Sequence, residues 1–225
     1  MLQVVFFQDF YELPSTEELQ RIEHAVAKEG ITGNWRIRQI CETTIRVVEL
    51  IVEFCKKLPG FNTLRVEDQV TLLKSCSSEV MMIRMARRYD VHTDSIIFAN
   101  NQPFDREAFK KAGMGDYDEM FSFCRTMSDM KVDNAEYGLL TALVIFSERF
   151  SLHEPKKVEK IQEIYVEAFE AYVYNRRSRQ NVMFAKLLNT LCVVKNLANK
   201  NSEQVFSLMI SDEKFPKILS EMWGQ

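Results

Sequence analysis

Phe54-Cys55-Lys56-Lys57-Leu58-Pro59-Gly60-Phe61, then Leu64, Asp68-Gln69 and Leu72-Leu73-Lys74, then Cys76 through Arg84 to Arg88-Tyr89-Asp90, is the stretch that decides the fold. Proline cannot continue a helical ladder and glycine takes the reversed backbone, so Pro59-Gly60 ends one helix. A second helix is predicted from Val66 or Glu67 to about Tyr89. Val70, Leu72, Leu73, Cys76, Val80, Met81, Met82, Ile83, Met85 and Ala86 make it apolar on nearly all sides. In a chain without a membrane span, such a helix is the buried central rod of a helical domain. Arg84 interrupts the apolar run, and an unpaired cation there is costly, so something must meet it.

Composition agrees with a packed helical domain. Only seven Gly and five Pro punctuate 225 residues, so helices are long, and 46% hydrophobic residues supply a core. With 29 basic and 32 acidic side chains the net charge is -3, which gives no sign of nucleic-acid binding by this segment. Cys41, Cys55, Cys76, Cys124 and Cys192 form no CxxC pair and read as reduced core thiols of an intracellular protein. No signal peptide is recognisable. The longest apolar run, Leu139 to Phe146, is too short to cross a bilayer.

Upstream of the central rod, Pro14-Ser15-Thr16-Glu17-Glu18 starts a helix that runs to about Lys28. The next helix, over residues 36 to 58, carries an inward stripe at spacings of three and four: Ile37, Ile40, Cys41, Thr44, Val48, Ile51, Cys55, Leu58. Thr43, Thr44 and Val47 lie along or beside that stripe. A buried threonine either back-bonds to its own helix or faces a ligand, and both readings stand. Downstream, Ser95 to Ala99 and the turn Asn100 to Pro103 predict a small hairpin. Asp105 caps a short helix that stops at Gly113, and another helix spans Asp116 to about Lys131. Asp133-Asn134 opens a helix to Arg149, and Pro155 starts a long amphipathic one. Asn175 to Asn181 is a loop, and a last long helix covers Phe184 to about Phe206. No repeat or boundary divides the chain, so one all-α domain over residues 1–225 is expected.

Catalytic and metal signatures are missing. There is no glycine-rich phosphate loop, GxSxG or HExxH, and His24, His92 and His153 lie far apart. Neither an enzyme nor a metal or cofactor site is expected. Two other constellations stand out. The tail segment Pro216 to Trp223 makes two helical turns with Ile218, Leu219, Met222 and Trp223 on one side and Glu221 near the other edge. Alone it is too short to be stable, so it docks on the body or frays. Lys56 and Lys74 flank Phe61 and Leu64. They are either solvated charges or caps for the C-terminal carbonyls of a partner helix lying in a groove.

Together these residues resemble the ligand-binding domain of nuclear receptors. The family's core signature is matched by Phe54, Lys56, Phe61, Leu64, Asp68-Gln69 and Leu72-Leu73-Lys74, with Cys55 in place of a common alanine. Its terminal-helix pattern is met by Ile218, Leu219, Glu221, Met222 and Trp223. Within the family, Cys76 to Met82, Arg84, Ala86 to Asp90, Phe98 to Gln102, Ala112-Gly113-Met114, Phe123-Cys124-Arg125 and Val144 to Ser147 are similar to arthropod ecdysone receptors.

The resemblance implies a three-layer antiparallel helical sandwich with a small β-hairpin, and a zinc-finger DNA-binding domain that this segment lacks. It implies a buried steroid pocket for an ecdysteroid. Glu12 and Arg84 would meet the A-ring end, with Arg88 beside them, Thr44 a nuclear hydroxyl, and the Ala99 N–H a ketone. Ile40, Met81, Met82, Met85, Phe98, Met114, Met120 and Leu197 would form the apolar lining, with Asn201 and Trp223 closing it. Three positions depart: Val47 replaces a second threonine, Phe109 a tyrosine that meets a side-chain hydroxyl, and Thr43 a methionine. Each lost partner leaves a buried ligand hydroxyl unsatisfied at about 1–3 kcal/mol, so weakened recognition of the sterol side chain is expected. The resemblance also implies that Lys56, Lys74 and Glu221 hold a coactivator's LxxLL helix. A retinoid X receptor or ultraspiracle partner would bind along the last long helix, through positions such as Leu187, Leu188, Leu191 and Val194. The setting would be the nucleus, with DNA bound only through the missing domain and no membrane. The rival reading is a ligand-independent dimerisation module whose pocket is empty or filled by side chains.

Overall fold

The computed structural model describes residues 35–98, 103–111, 117–177 and 181–211, and parts of 15–24. Helix α1, Trp35–Lys57, ends with Lys56 and Lys57 in its last turn, where cations suit the free carbonyls. Gly60 follows at φ 94°, a left-handed conformation. A Cβ there would lie 3.0 Å from Ile161 Cγ2, so glycine answers both a backbone and a packing demand. A 3-10 turn, Phe61–Thr63, leads into α2, Val66–Arg87. Cys76 through Ala86 are all buried, as a central rod requires, whereas Val66 and Val70 in the first turns are exposed.

The rod ends earlier than expected. Its last helical residue is Arg87, and Tyr89 instead opens strand β1, Tyr89–Asp90. β1 pairs antiparallel with β2, Ser95–Ile97 (Tyr89 opposite Ile96), and β2 pairs with β3, Pro103–Phe104 (Ile96 opposite Phe104). The expected hairpin is therefore a three-stranded sheet, because the chain leaving the rod supplies an extra strand.

Helix α3 is Arg106–Lys111, and the Asp105 carboxylate accepts the Ala108 N–H at 2.8 Å, which is the predicted cap. Helix α4 is Asp118–Asp129. Helix α5, Asn134–Ile145, opens with a capping box in which Asp133 and Glu136 each accept the other's backbone N–H. It stops short of the expected Arg149, whose guanidinium turns back to Glu79 and the Val144 carbonyl. Helix α6 is Pro155–Arg176, and α7, Asn181–Ser211, outruns the predicted Phe184–Phe206 at both ends. α2 touches α1, α4, α5 and α7, while α6 packs on α5 and α7, so helices enclose the rod as a layered sandwich demands.

Buried acids tie this scaffold together. Asp68 is fully buried and accepts the backbone N–H groups of His153 (2.7 Å) and Glu154 (2.9 Å), closing the start of α6 from the start of α2. Glu136 is fully buried and receives Arg176 Nη1 at 3.0 Å and Arg177 Nε at 2.7 Å. Glu79 is buried against Arg149. Cys55, Cys76 and Cys124 are buried; Cys192 is exposed, contrary to expectation, because it sits on the outer face of α7. Cys41 lies outside the described side chains. Burial pushes the Cys76 thiol up to about 12, with Arg149 opposing and Glu79 adding to the rise.

Candidate ligand-binding site

A cavity of about 150 Å³ opens between α2, α4 and α7, lined by Met82, Tyr117, Glu119, Met120, Leu197, Lys200 and Asn201. Each wall follows from helical periodicity. Tyr117, Met120, Phe121 and Cys124 recur at three, four and seven, and all are buried on α4's inner stripe. Leu187, Val194, Leu197, Ala198 and Asn201 do the same along α7. Lys200 meets Glu119 at 2.6 Å across the rim, both exposed, so that pair is solvent-screened.

Four of the expected pocket residues meet here: Met82, Met120, Leu197 and Asn201. Thr44, Val47, Met81, Arg84 and Met85 are buried but do not line this cavity. Val47, Met81 and Met85 belong instead to the hydrophobic core. Arg84 has an interaction partner, as its burial requires. Arg88 Nε donates to the Ile97 carbonyl at 3.2 Å, tying the end of the rod to β2; burial, helped by the neighbouring Arg87 charge, lowers its pKa. Glu12, Ala99, Met114, Trp223 and Glu221 lie outside the described residues, as do the side chains of Ile40 and Thr43.

The aromatic corner was only half anticipated. Phe109 is fully buried and stacks on Tyr117, ring centroids 4.4 Å apart and 22° from parallel. Phe98 and Phe104 lean on Phe109 at 5.7 and 5.9 Å. The position expected to lack a hydroxyl therefore holds a neighbour that has one. Tyr117 Oη donates to Asn201 Oδ1 at 3.2 Å, and burial raises its pKa to about 12, so it stays a neutral donor. Sequence reading missed Tyr117, although its place in the α4 stripe was a usable signal.

Toward the start of the rod, Lys56 and Lys74 are exposed while Phe61 and Leu64 between them are buried. The exposed apolar groups nearby in sequence are Val66 and Val70. On α7, Leu187 and Val194 are buried in the core and cannot face a dimer partner, while Leu188 and Leu191 are half-buried. Val182 and Val193 are the large aliphatic side chains exposed there among the described residues.

Residues 34–211 match the family model of the ligand-binding domain of nuclear hormone receptors. The chain belongs to that family. It is 48% identical over 98% of its length to the ecdysone receptor of Lucilia cuprina, covering 30% of that protein. It is 48% identical to the ecdysone receptor of Drosophila melanogaster (98% of this chain, 26% of that one) and 47% identical to that of Chironomus tentans (98% and 42%). The chain thus spans well under half the length of these relatives. The fold is that of a nuclear receptor ligand-binding domain, which is a binding module and not a catalyst. Among the described residues no group of His, Cys, Asp and Glu side chains could hold a metal ion, and no helix is long and apolar enough to cross a membrane.

Proposed function

We propose that this chain is, as one domain, the hormone-sensing part of a ligand-regulated transcription factor that acts in the nucleus and takes an ecdysteroid-like steroid into the space beside α2. The observation that supports this reading is the cavity itself, in whose wall Met82, Met120, Leu197 and Asn201, four of the positions carried over from the family, come together. The cavity walled by described residues is smaller than the roughly 300–1,000 Å³ of ligand-sized sites, and further walls are proposed at Glu12, Ile40, Thr43, Ala99, Met114 and Trp223. Thr44, Val47, Met81, Arg84, Met85, Arg88, Phe98 and Phe109 would meet ligand only as the core beside the cavity moves apart to admit it.

Ligand would favour the docked state of the tail helix, a population shift. Docking would set Glu221 across from Lys56 and Lys74, holding an LxxLL helix at both ends. A retinoid X receptor or ultraspiracle partner would bind along α7, using exposed positions such as Val193. Titration of the purified chain with an ecdysteroid tests the first claim. Binding weaker than nanomolar is expected, because two lost hydroxyl partners at about 1–3 kcal/mol each are worth about fivefold to a hundredfold apiece. Nanomolar binding overturns the weakened version, and no binding overturns the ligand class. Lys56→Glu should lower coactivator-peptide affinity and leave ligand affinity unchanged.

One observation favours a second reading, a ligand-independent dimerisation module. The cluster of Phe98, Phe104, Phe109, Tyr117 and Phe121 fills space beside the cavity with protein side chains. Mass spectrometry of small molecules extracted with the purified chain separates the two.

A further inference from the structure

The side chains around the cavity fall into two sets. Met82, Tyr117, Met120, Leu197 and Asn201 are each at most 7% exposed, whereas the side chains of Glu119 and Lys200 keep 67% and 58% of their surface. Among the described residues, the mouth of the cavity therefore lies where Glu119 and Lys200 stand, between the first turn of α4 and α7. The two meet across it: Lys200 Nζ donates to both Glu119 carboxylate oxygens, at 2.7 and 2.6 Å. They lie 81 residues apart, so no local helix geometry brings them together. α4 and α7 each pack broadly on α2 but touch one another only narrowly, which makes the seam between them the least packed side of the cavity. A largely exposed ammonium–carboxylate pair adds little stability and is screened by salt, because water solvates both charges well. A link of that strength does not hold a fold together. It opens and recloses readily, and each opening uncovers the mouth.

We propose that the seam between α4 and α7 is the route by which ligand enters and leaves the cavity, and that the Glu119–Lys200 pair is the latch across it. This rests on the reading of the cavity as a ligand site, and it adds how that site is reached. The buried walls set what binds, and the latch sets how fast it comes and goes. Because the pair spans the mouth and not the buried walls, loosening it lowers the barrier to entry and to exit by the same factor. Affinity is the ratio of the two rates, so it stays nearly fixed while both climb. A merely structural ion pair would shift stability and leave the rates alone. A ligand contact would change affinity, chiefly through exit.

The test uses fluorobenzene, because a cavity of about 150 Å³ holds a benzene-sized molecule. Fluorine NMR on the full chain gives its affinity and exchange rates, and the assigned Met82 and Met120 methyl resonances report where it sits. Lys200→Glu replaces attraction by repulsion and should speed entry and exit about fivefold each, the upper value of an exposed pair, with affinity changed less than about twofold. Adding Glu119→Lys to it rebuilds the pair in reverse and should return both rates to within about twofold of the unmodified chain. In about 1 M sodium chloride, where the screening length falls to about 3 Å, the gap between Lys200→Glu and the unmodified chain should close. No response at Met82 and Met120, rates indifferent to Lys200→Glu, or a swap that fails to restore them each overturns the proposal. Salt alone should speed exchange in the unmodified chain, so rates that salt leaves unchanged overturn it even if a variant fails to fold. An ecdysteroid titration run alongside keeps the two claims apart: fluorobenzene exchange governed by the pair without steroid binding rejects the steroid class alone, and steroid binding with exchange indifferent to the pair rejects the latch alone.

Discussion

The two ends of α2 treat buried polarity in opposite ways. At its start, Asp68 is wholly enclosed and both carboxylate oxygens accept backbone N–H groups from the entry to α6. Elsewhere in the scaffold, Glu136 is wholly enclosed and takes up two guanidinium groups. Toward its other end, Met82 faces a cavity that Asn201 also lines, and the Asn201 Nδ2 is buried without a partner. Saturated acids bind elements of the chain to each other. A buried amide nitrogen without a partner costs stability that the saturated acids do not. The contrast separates the part of the domain that is closed on itself from the part that leaves room beside the rod.

Four measurements sharpen or break that division. The largest effect is expected for Glu136→Ala, which takes the buried carboxylate from Arg176 and Arg177 and removes half of a capping box. Loss of one partner of a buried pair costs about 3–5 kcal/mol, and here the lower figure applies because both arginines reach water; urea unfolding measures it. Asp68→Ala should cost about 2 kcal/mol, the upper range for a lost helix cap. It should raise hydrogen exchange first at the start of α6. At the cavity the sign reverses. Leu197→Phe should leave the unliganded chain unchanged or up to about 1 kcal/mol more stable, as cavity filling does, while lowering ligand affinity at least tenfold. If it destabilises as much as Asp68→Ala, the space is not spare and the division fails.

The smallest effect concerns acid. A hydrogen bond from Tyr89, with Arg125 and Arg106 assisting, holds the Asp94 carboxyl below its usual range. A depressed pKa stabilises the fold above the unfolded value of about 3.9, and that contribution is lost as pH falls through the lower folded value. The group is partly exposed, so the loss should be only about 0.5 kcal/mol. It should appear as faster opening of the three-stranded sheet below about pH 4, and Asp94→Asn should reproduce it at neutral pH.

Much of the scaffold was readable from residue spacing. Pro59-Gly60, the apolar run to Ala86, the cap at Asp133 and the start at Pro155 are local signals, and each lies where local physics puts it. What spacing did not reveal are pairings across the chain. Glu79 and Arg149 lie 70 residues apart, and Asp68 and His153 lie 85 apart, so no periodic pattern connects them. The site was legible in part. Asn201, Met82, Met120 and Leu197 came from family resemblance, whereas Tyr117 could have come from the α4 stripe alone. Leu187 and Val194 misled because an apolar helix face looks the same whether it packs inward or toward a partner.

The placement of the sulfur atoms offers a practical gauge. Cys192 stands in solvent, whereas Cys55, Cys76 and Cys124 are sealed within the folded body. A maleimide dye should therefore tag the first at once and reach the other three only when the molecule breathes. Identifying the tagged cysteines against time by mass spectrometry, with and without an added candidate ligand, would show which part of the body opens first.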